Sequence, residues 1–301
     1  MIKTTTHASV VFPAFAQIGR DLSLLTKSRL SLSVVFSSIA GYMLGSESIV
    51  AQEILLLLIG GYGVAGAANA FNQIIERELD AQMVRTQNRP LPAGRMKAVH
   101  AFWWASAFAI IGLVALYMIN PKTSMFAAIS MFLYTSVYTP LKPKTALAVF
   151  VGAFPGAIPF MLGWVAATGS FGLEAGTLFM IQFFWQFPHF WAIGWMMYDD
   201  YKRVGIYMLP TGQKDRGTAL QIILYTLWTI VVSITPVWGI TGNLSLSVPA
   251  AIMVAICGIC MLLAALRLYQ KQDTLAAKRL LFVSILYISV IQIIYVIDKF
   301  I

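Results

Sequence analysis

Long apolar segments alternate with short polar connections along nearly the whole chain. A helix needs about 20 apolar residues to cross the hydrocarbon core of a bilayer. Nine segments come close to that requirement: residues 30–45, 54–71, 99–119, 123–139, 146–167, 176–198, 219–240, 247–266 and 280–297. The pattern therefore predicts an all-α membrane protein of about nine transmembrane helices. We expect residues 1–25 to form a cytoplasmic tail and residues 26–301 to form a single polytopic domain.

The distribution of basic residues predicts the orientation of these helices. With nine spans and a cytoplasmic N-terminus, 19 of the 21 Lys and Arg residues fall on the inner side, and only Lys122 and Lys299 fall outside. Such an excess marks the cytoplasmic loops of membrane proteins. The inner connections, at residues 73–98 and 199–218, are also the long ones, and long loops often carry function. We therefore expect the working face, and a central cavity that opens there, on the cytoplasmic side.

The composition argues against a soluble protein, a nucleic-acid partner and a redox role for the two cysteines. Hydrophobic residues make up 59% of the chain and charged residues 11%, too few to cover a soluble globule of this size. A net charge of +9 would suggest nucleic acid in a soluble protein, but the positive-inside pattern already accounts for it. Cys257 and Cys260 lie in an apolar segment without a βαβ pattern, so we predict no redox role for them.

The first acidic cluster consists of Asn72, Glu76 and Asp80, at the end of the second apolar segment. Residues four apart lie on one stripe of a helix. Carboxylate and amide oxygens suit Mg²⁺, which usually binds one or two carboxylates together with substrate phosphates. Arg85 and Arg89 follow, and guanidinium groups can bind diphosphate oxygens bidentately. The alternative is an ordinary solvated helix end with a basic loop.

The second acidic cluster consists of Asp199 and Asp200, after the sixth apolar segment. Lys202 and Arg203 follow it, so this region repeats the order of acidic and then basic residues. It leaves the membrane on the same side as the first cluster. The two clusters could each hold a metal ion and face one polyanion. The alternative is a loop that anchors the helix at the lipid headgroups.

A buried polar stripe is predicted on the sixth apolar segment. Gln182, Gln186, His189 and Asp200 fall on one narrow face of an ideal helix. Polar groups at membrane depth are costly and usually face a cavity or a partner helix. His189 therefore has two interpretations, a functional group in a cavity or a hydrogen bond to a neighbouring helix. Pro188, beside it, predicts a kink.

Small residues and prolines predict two further features of packing. Gly60, Gly63 and Gly66 on the second segment should let another helix approach closely. Pro155 and Pro159 predict a bent or broken fifth helix.

The charged motifs resemble those of the UbiA superfamily of intramembrane prenyltransferases. Residues 72–80 resemble its Asn-x-x-x-Asp-x-x-x-Asp motif, with Glu76 in the middle position. The chain resembles one branch of this superfamily more specifically, the branch that farnesylates protoheme. Five stretches carry that resemblance and follow one another in the expected order: residues 83–91, 138–142, 156–164, 188–191 and 199–210. The superfamily's second Asp-x-x-x-Asp motif is not intact, since Arg203 follows Asp199 at that spacing and Val204 follows Asp200. The ligands of a second metal ion therefore stay open.

The resemblance implies a reaction. A farnesyl group would pass from farnesyl diphosphate to a vinyl group of protoheme (heme b), giving heme O and diphosphate, with Mg²⁺ as cofactor. It also implies a multi-pass protein of the bacterial plasma membrane, in contact with membrane lipid, whose product a heme A synthase consumes in the assembly of heme-copper oxidases. Nucleic acid is not an expected partner.

The resemblance also implies roles for individual residues. The predicted catalytic residues, holding metal directly or through water, are Asn72, Glu76, Asp80, Asp199 and Asp200. Of these five residues, the predicted direct ligands of the metal ion are Asn72, Glu76, Asp80 and Asp200. The predicted diphosphate-binding residues are Arg85, Arg89, Lys142, Lys202 and Arg203. His189 is the predicted heme contact and a candidate iron ligand, since imidazole suits iron.

Three other functions stay open at this point. A prenyltransferase for an aromatic quinone precursor would keep the acidic clusters but would not need His189. A transporter with a polar site near the midplane would need neither Mg²⁺ nor diphosphate release. A heme-handling protein without catalysis would need His189 but not the acidic clusters. The sequence leaves prenyl chain length, oligomeric state and the route of heme open as well.

Overall fold

The computed structural model describes residues 8–301, and side chains from residue 16 onward. Helices account for all regular structure in this range, and the described residues contain no strand. In chain order the helices are α1 (Ala8–Leu25), α2 (Ser28–Gly45), α3 (Ala51–Ile75), α4 (Arg77–Gln82), α5 (Ala98–Ile119), α6 (Pro121–Phe132), α7 (Thr139–Leu141), α8 (Ala148–Thr168), α9 (Leu173–Met196), α10 (Tyr198–Arg203), α11 (Arg216–Ile234), α12 (Val248–Lys271) and α13 (Thr274–Phe300).

Each of the nine predicted apolar segments coincides with helical structure, and six helices in the described part of the chain are long and apolar enough to cross a membrane. These six are α3, α5, α8, α11 with its 3-10 extension to Trp238, α12 and α13. The other three segments depart from a simple span. Helix α2 has only 18 residues and contains five serines, the fourth segment is divided, and α9 carries two glutamines and a histidine. The coarse prediction of an all-helical protein with several apolar spans is confirmed.

The fourth segment is divided because its helical geometry changes before Pro140. Helix α6 passes into a π-helix, Leu133–Tyr138, and then into the short α7. Proline has no N–H to donate to the preceding turn. Just before it, the backbone N–H and the hydroxyl of Thr139 both donate to the carbonyl of Tyr134, the hydroxyl at 2.8 Å. π-helical turns occur frequently at functional sites, and this one precedes Lys142.

The prolines of α8 and α9 do not break their helices, so the break is excluded from the predicted bend or break of α8. Both helices are continuous through Pro155, Pro159 and Pro188. Pro159 cannot donate a hydrogen bond to the carbonyl of Pro155. Ser130 on α6 donates to that carbonyl instead, at 3.0 Å. Replacement of a lost backbone bond by a neighbouring side chain is how membrane helices tolerate proline.

Helices α3 and α5 approach each other closely, as the glycines predicted. A Cβ atom at Gly63 would lie 2.8 Å from the carbonyl oxygen of Phe108. One at Gly112, on the facing helix, would lie 2.7 Å from the amide nitrogen of Val64. A larger residue at either position would therefore push the two backbones apart. This close contact helps to fix the position of the C-terminal end of α3, where the first acidic cluster begins.

The helices form two neighbouring groups. Helices α2, α3, α5, α6 and α8 pack together, and α9 packs with α11 and α13, which in turn contact α12. The groups meet where α8 contacts α9 and where α2 contacts α13. At the second junction Ser37 of α2 contacts Gln292 of α13, with Nε2–Oγ at 3.1 Å, and Gln182 of α9, at 3.3 Å. Buried hydrogen bonds thus connect helices from both groups.

The predicted tail contains helical structure in its described part. Helix α1 ends at Leu25, whose fully buried side chain packs with Ala70 of α3 and Ala101 of α5. The side-chain amide of Gln73 donates to the carbonyls of Leu24 and Leu25, at 2.9 and 2.8 Å. The end of α1 is therefore anchored beside the C-terminal end of α3, and this anchoring determines where Lys27 lies.

Candidate active site

The first acidic cluster is buried at a break between two helices. Helix α3 ends at Ile75, Glu76 leaves the helical conformation with φ −89° and ψ 6°, and α4 begins at Arg77. Asn72 is 1% exposed, Glu76 7% and Asp80 1%. Burial of a carboxylate is unfavourable unless a cation or hydrogen-bond donors compensate it. Two buried carboxylates therefore indicate that cations lie nearby.

Those cations are Lys142, from a distant segment of the chain, and Arg89, from the loop that directly follows α4. Lys142 Nζ lies 2.8 Å from Glu76 Oε1, and Arg89 Nη1 lies 2.6 Å from Asp80 Oδ2. Both cationic side chains are themselves largely buried. Lys142 follows α7, and Arg89 lies in the loop after α4. The site is therefore assembled by tertiary packing from the ends of two helical segments and one loop.

Lys27 is a third cation in the cluster, and the sequence analysis assigned it no role in the site. Its Nζ donates to Asn72 Oδ1 at 3.3 Å, and Asn72 Nδ2 donates to Thr139 Oγ1 at 3.1 Å. Lys27 lies in the turn between α1 and α2 and has a left-handed backbone, φ 46°. The 45 residues between Lys27 and Asn72 left no local spacing that could have identified this contact.

The electrostatics of this cluster favour an anionic ligand. Burial, together with the positive charges of Arg89 and Lys142, lowers the pKa of Lys27 to about 7. Burial alone would also lower the pKa of Lys142, but the adjacent Glu76 carboxylate outweighs it and the pKa is raised. Three cations thus lie close together around two carboxylates. An anion bound among them would relieve their mutual repulsion.

The donor set fits a magnesium ion that is shared with a ligand. Asp80 Oδ1 is buried and has no hydrogen-bond partner among residues 16–301, so one acceptor oxygen is left for a ligand. Within the described chain, no three His, Cys, Asp or Glu side chains lie together as a metal cage. Mg²⁺ commonly uses one or two carboxylates and takes its other ligands from substrate phosphates and water. Glu76, Asp80 and the Asn72 amide match that pattern.

The second acidic cluster has different surroundings. Asp199 is 84% exposed at its side chain and pairs with Lys214 at 3.4 Å. Asp200 pairs with Arg203, one turn further along α10, at 3.5 Å. Lys202 lies over the Tyr198 ring at 5.8 Å and lines a cavity of about 160 Å³ between α9, α10 and the loop after α10. The carboxylates of this cluster therefore pair with bases of their own segment.

A contact between Arg85 and Tyr201 connects the two regions. Arg85 Nη2 donates to the Tyr201 hydroxyl at 3.4 Å, which joins the loop after α4 to α10. Lys142 lies 4.7 Å above the Tyr138 ring, next to the first acidic cluster. A Cβ atom at Gly152 would lie 2.7 Å from that ring, so glycine there makes room for Tyr138. Arg85 and the end of α10 thus border the same side of the molecule.

The predicted polar stripe does not form one continuous face, which is a second correction. Helix α9 ends at Met196, and Asp200 belongs to α10. Gln182 accepts from the backbone N–H of Phe160 at 3.1 Å, and Gln186 donates to the carbonyl of Ala153 at 2.9 Å. Both glutamines therefore hydrogen-bond to backbone groups of α8, whereas the His189 ring contacts α13.

His189 is hydrogen-bonded to a neighbouring helix and is also partly accessible, so its surroundings fit both predicted interpretations in part. Its Nδ1 lies 3.0 Å from Ser284 Oγ, and its ring stacks on Trp185 with centroids 4.7 Å apart. The residue is nevertheless partly exposed. Its other ring nitrogen, Nε2, makes no hydrogen bond to the described residues and is not among the buried polar atoms. One side of the ring is thus held by a neighbouring helix, and the other stays accessible.

A helical bundle that crosses the membrane and carries a buried acidic and basic cluster at one end is typical of an intramembrane prenyltransferase. The model of the UbiA prenyltransferase family matches residues 34–286. The chain therefore belongs to the UbiA prenyltransferase family, and the predicted resemblance is confirmed.

Similar proteins from bacteria carry a more specific name. The protoheme IX farnesyltransferase of Christiangramia forsetii is 64% identical over 286 residues, which cover 95% of each chain. The protein of the same name from Flavobacterium psychrophilum is 59% identical over 291 residues, 96% of this chain and 97% of its own. The match thus extends over nearly the whole chain in both cases.

Solved structures share the fold at much lower identity. A digeranylgeranylglyceryl phosphate synthase has a TM-score of 0.76 and 18% identity, covering 93% of this chain and 97% of its own. A UbiA homologue from Archaeoglobus fulgidus, bound to GPP and Mg²⁺, has a TM-score of 0.66 and 12% identity, with coverages of 92% and 99%. These likenesses establish the UbiA fold.

Proposed function

We propose that this chain transfers a farnesyl group from farnesyl diphosphate to a vinyl group of protoheme, forming heme O and diphosphate. The similarity to protoheme IX farnesyltransferases extends over nearly the whole chain, and it supports farnesyl diphosphate and protoheme as the two substrates. The structural observation that carries the proposal is the buried cluster in which Lys27, Arg89 and Lys142 surround Asn72, Glu76 and Asp80. This arrangement suits a polyanion better than any neutral ligand.

The cluster would stabilise the diphosphate as it leaves. Lys27, Arg89 and Lys142 are placed to bind its oxygens while negative charge develops on them, and fixed cations in a dry site are effective in that role. Arg85 lies beside them and can bind the outer oxygens bidentately. Bound Mg²⁺, held by Asp80, Glu76 and Asn72, would add Lewis-acid stabilisation of the same charge. The UbiA homologue bound to GPP and Mg²⁺ supports this assignment.

Within the second acidic cluster we assign the larger role to Asp200. Its carboxylate is 20% exposed at the side chain, against 84% for Asp199. Lys202 and Arg203 would add positive charge at the same rim. Asp199, which faces Lys214 and solvent, would act on a metal ion only through water.

We assign His189 to the protoheme. Its partly exposed ring and accessible Nε2 make it available to a large planar ligand, and neutral imidazole is a common iron ligand. The farnesyl cation would add to the vinyl carbon, and water would capture the resulting cation next to the porphyrin ring with loss of a proton. This step adds one farnesyl group and one hydroxyl group to the heme.

The proposed topology has nine spans, a cytoplasmic N-terminus and a central cavity that opens to the cytoplasmic side. The 19 inner Lys and Arg residues support it, as does helical structure at each predicted segment. Residues 26–301 would form the catalytic domain in the bacterial plasma membrane, in contact with lipid. The enzyme that consumes heme O, a heme A synthase, would act downstream.

The test combines the purified chain with protoheme, farnesyl diphosphate and Mg²⁺, followed by mass spectrometry of the extracted heme. We expect the heme to gain the mass of one farnesyl and one hydroxyl group, and we expect EDTA to stop the gain. An unmodified heme, with heme binding shown separately, would favour a heme-handling protein without catalysis. Transfer to an aromatic acid but not to heme would favour the quinone-precursor alternative.

A further inference from the structure

The contacts of Ser284 determine the proton position on His189. Ser284 Oγ lies 2.7 Å from the carbonyl oxygen of Leu281 and 3.0 Å from His189 Nδ1. A serine hydroxyl carries one proton, and a carbonyl oxygen can only accept. The hydroxyl of Ser284 therefore donates to Leu281 and accepts from His189. It follows that Nδ1 of His189 carries a proton.

This arrangement leaves Nε2 with a free lone pair. In a neutral imidazole only one nitrogen is protonated, so a proton on Nδ1 makes Nε2 the acceptor. Nε2 has no hydrogen bond to any residue in the described range and keeps some accessible surface. Two features thus coincide at one partly buried side chain, a held N–H and a lone pair without a partner among the described residues. Metal-binding histidines typically show this combination, since their second nitrogen usually donates to an oxygen that fixes the ring.

The orientation of the ring is fixed a second time by Trp185. The indole stacks on the imidazole with an interplanar angle of 26°, and its Nε1 donates to the backbone carbonyl of Ser284 at 2.6 Å. Ser284 therefore receives hydrogen bonds from two side chains of α9, one turn apart. The contact sets the direction of the imidazole plane as well as its tautomer.

We propose that Ser284 is a positioning residue that holds His189 as its Nδ1–H tautomer, so that Nε2 faces the iron of the heme substrate. This inference rests on the proposed function, because it takes the ligand at Nε2 to be protoheme. Ser284 would not touch the heme itself. It would act through His189, by keeping the lone pair on the accessible nitrogen and by raising the basicity of the ring through its hydrogen bond.

The first experiment reads the tautomer without heme. The chain contains three histidines, so ¹⁵N-histidine NMR of the full-length protein in lipid bilayers can assign the His189 signal from its loss in His189→Ala. We expect a protonated Nδ1 and an unprotonated Nε2 in the wild type, a mixture of tautomers in Ser284→Ala, and the wild-type pattern in Ser284→Thr. A protonated Nε2 in the wild type would overturn the inference.

The second experiment measures the bond between the heme iron and His189. Resonance Raman spectra of the complex with ferrous protoheme should show an iron–histidine stretch that disappears in His189→Ala. In Ser284→Ala the stretch should move to lower frequency, and heme binding should weaken about tenfold, the usual scale for loss of an outer hydrogen bond to a metal ligand. Ser284→Thr should retain both properties. Ser289→Ala is the matched control, since that hydroxyl bonds only to Ile285 of its own helix.

The outcomes separate this inference from the proposed function. If the wild type farnesylates heme while Ser284→Ala keeps the wild-type stretch and heme affinity, the positioning role is wrong and the function stands. The same holds if His189→Ala leaves the stretch unchanged. If the wild type binds heme through His189 but transfers no farnesyl group, the function is wrong while the role of Ser284 stands.

Discussion

The two acidic clusters look alike in sequence but differ in what surrounds them. The carboxylates of Glu76 and Asp80 are buried and pair with largely buried bases, Lys142 from a distant part of the fold and Arg89 from the loop after α4. Asp199 is exposed, and both aspartates of the second cluster pair with bases of their own segment. Buried charges interact strongly because water does not screen them, whereas exposed pairs contribute little. The comparison predicts that the first cluster dominates catalysis.

The largest expected effect comes from Asp80. Asp80→Asn removes a buried charge and leaves Arg89 without its partner. We expect kcat to fall at least about 10²–10³-fold, the scale for loss of one preorganised electrostatic group. Farnesylation of heme is the measurement, with thermal unfolding as a check of the fold. Glu78→Gln is the control, because Glu78 lies on the same helix but is 82% exposed. Near-normal turnover in Asp80→Asn would remove the metal role from this carboxylate.

A somewhat smaller loss is expected for Lys142→Met. The change removes a cation from the proposed diphosphate site and leaves the Glu76 carboxylate buried without its partner. We expect activity to fall about 10²-fold and the protein to be destabilised by about 3–5 kcal/mol, as when one partner of a buried pair is removed. Lys144→Met, at an exposed position nearby, should change neither property.

A double variant separates the two consequences of that change. Lys142→Met combined with Glu76→Gln should recover stability, because no unpaired charge is buried, but it should not recover activity. Recovery of activity together with stability would mean that the pair is structural, and it would contradict a role of Lys142 in diphosphate binding.

Lys27→Met tests the cation that the sequence did not identify as part of the site. We expect the KM for farnesyl diphosphate to rise about tenfold and the KM for heme to stay unchanged, since one of three clustered cations is lost. Steady-state kinetics with each substrate varied in turn provide the measurement. Arg29→Met is the control, at an exposed position two residues away. Equal effects of both variants would indicate that only overall charge matters.

The smallest effects are expected in the second acidic cluster, and they should be unequal. Asp200→Asn should lower activity several-fold, whereas Asp199→Asn should stay within about twofold, as for an exposed ion pair. Activity measured across a range of Mg²⁺ concentrations would distinguish them, since only Asp200→Asn should need more Mg²⁺. A larger loss in Asp199→Asn would mean that this carboxylate turns inward when substrate binds.

Much of the helical framework was predictable from the sequence, because the lengths of the apolar segments determine where helices can cross a bilayer. The local motifs were predictable for a related reason. Asn72, Glu76 and Asp80 were predictable as one group because residues four apart lie on one helical stripe, although the structure divides that stripe between α3 and α4 at Glu76. Of the predicted bend or break at Pro155 and Pro159, the break does not occur, and a hydroxyl on another helix, Ser130, replaces a lost backbone bond.

The sequence by itself thus determined the apolar helices, the excess of positive charge on one side and the residue types of the acidic clusters. Only the tertiary structure decided which cation meets which carboxylate, that Lys27 joins them, and that His189 turns to Ser284. The physical reason is distance along the chain, since Lys27 and Asn72 are 45 residues apart and His189 and Ser284 are 95 apart. Helical periodicity relates neighbours within a few turns, whereas contacts between helices depend on how close-packed side chains fit together.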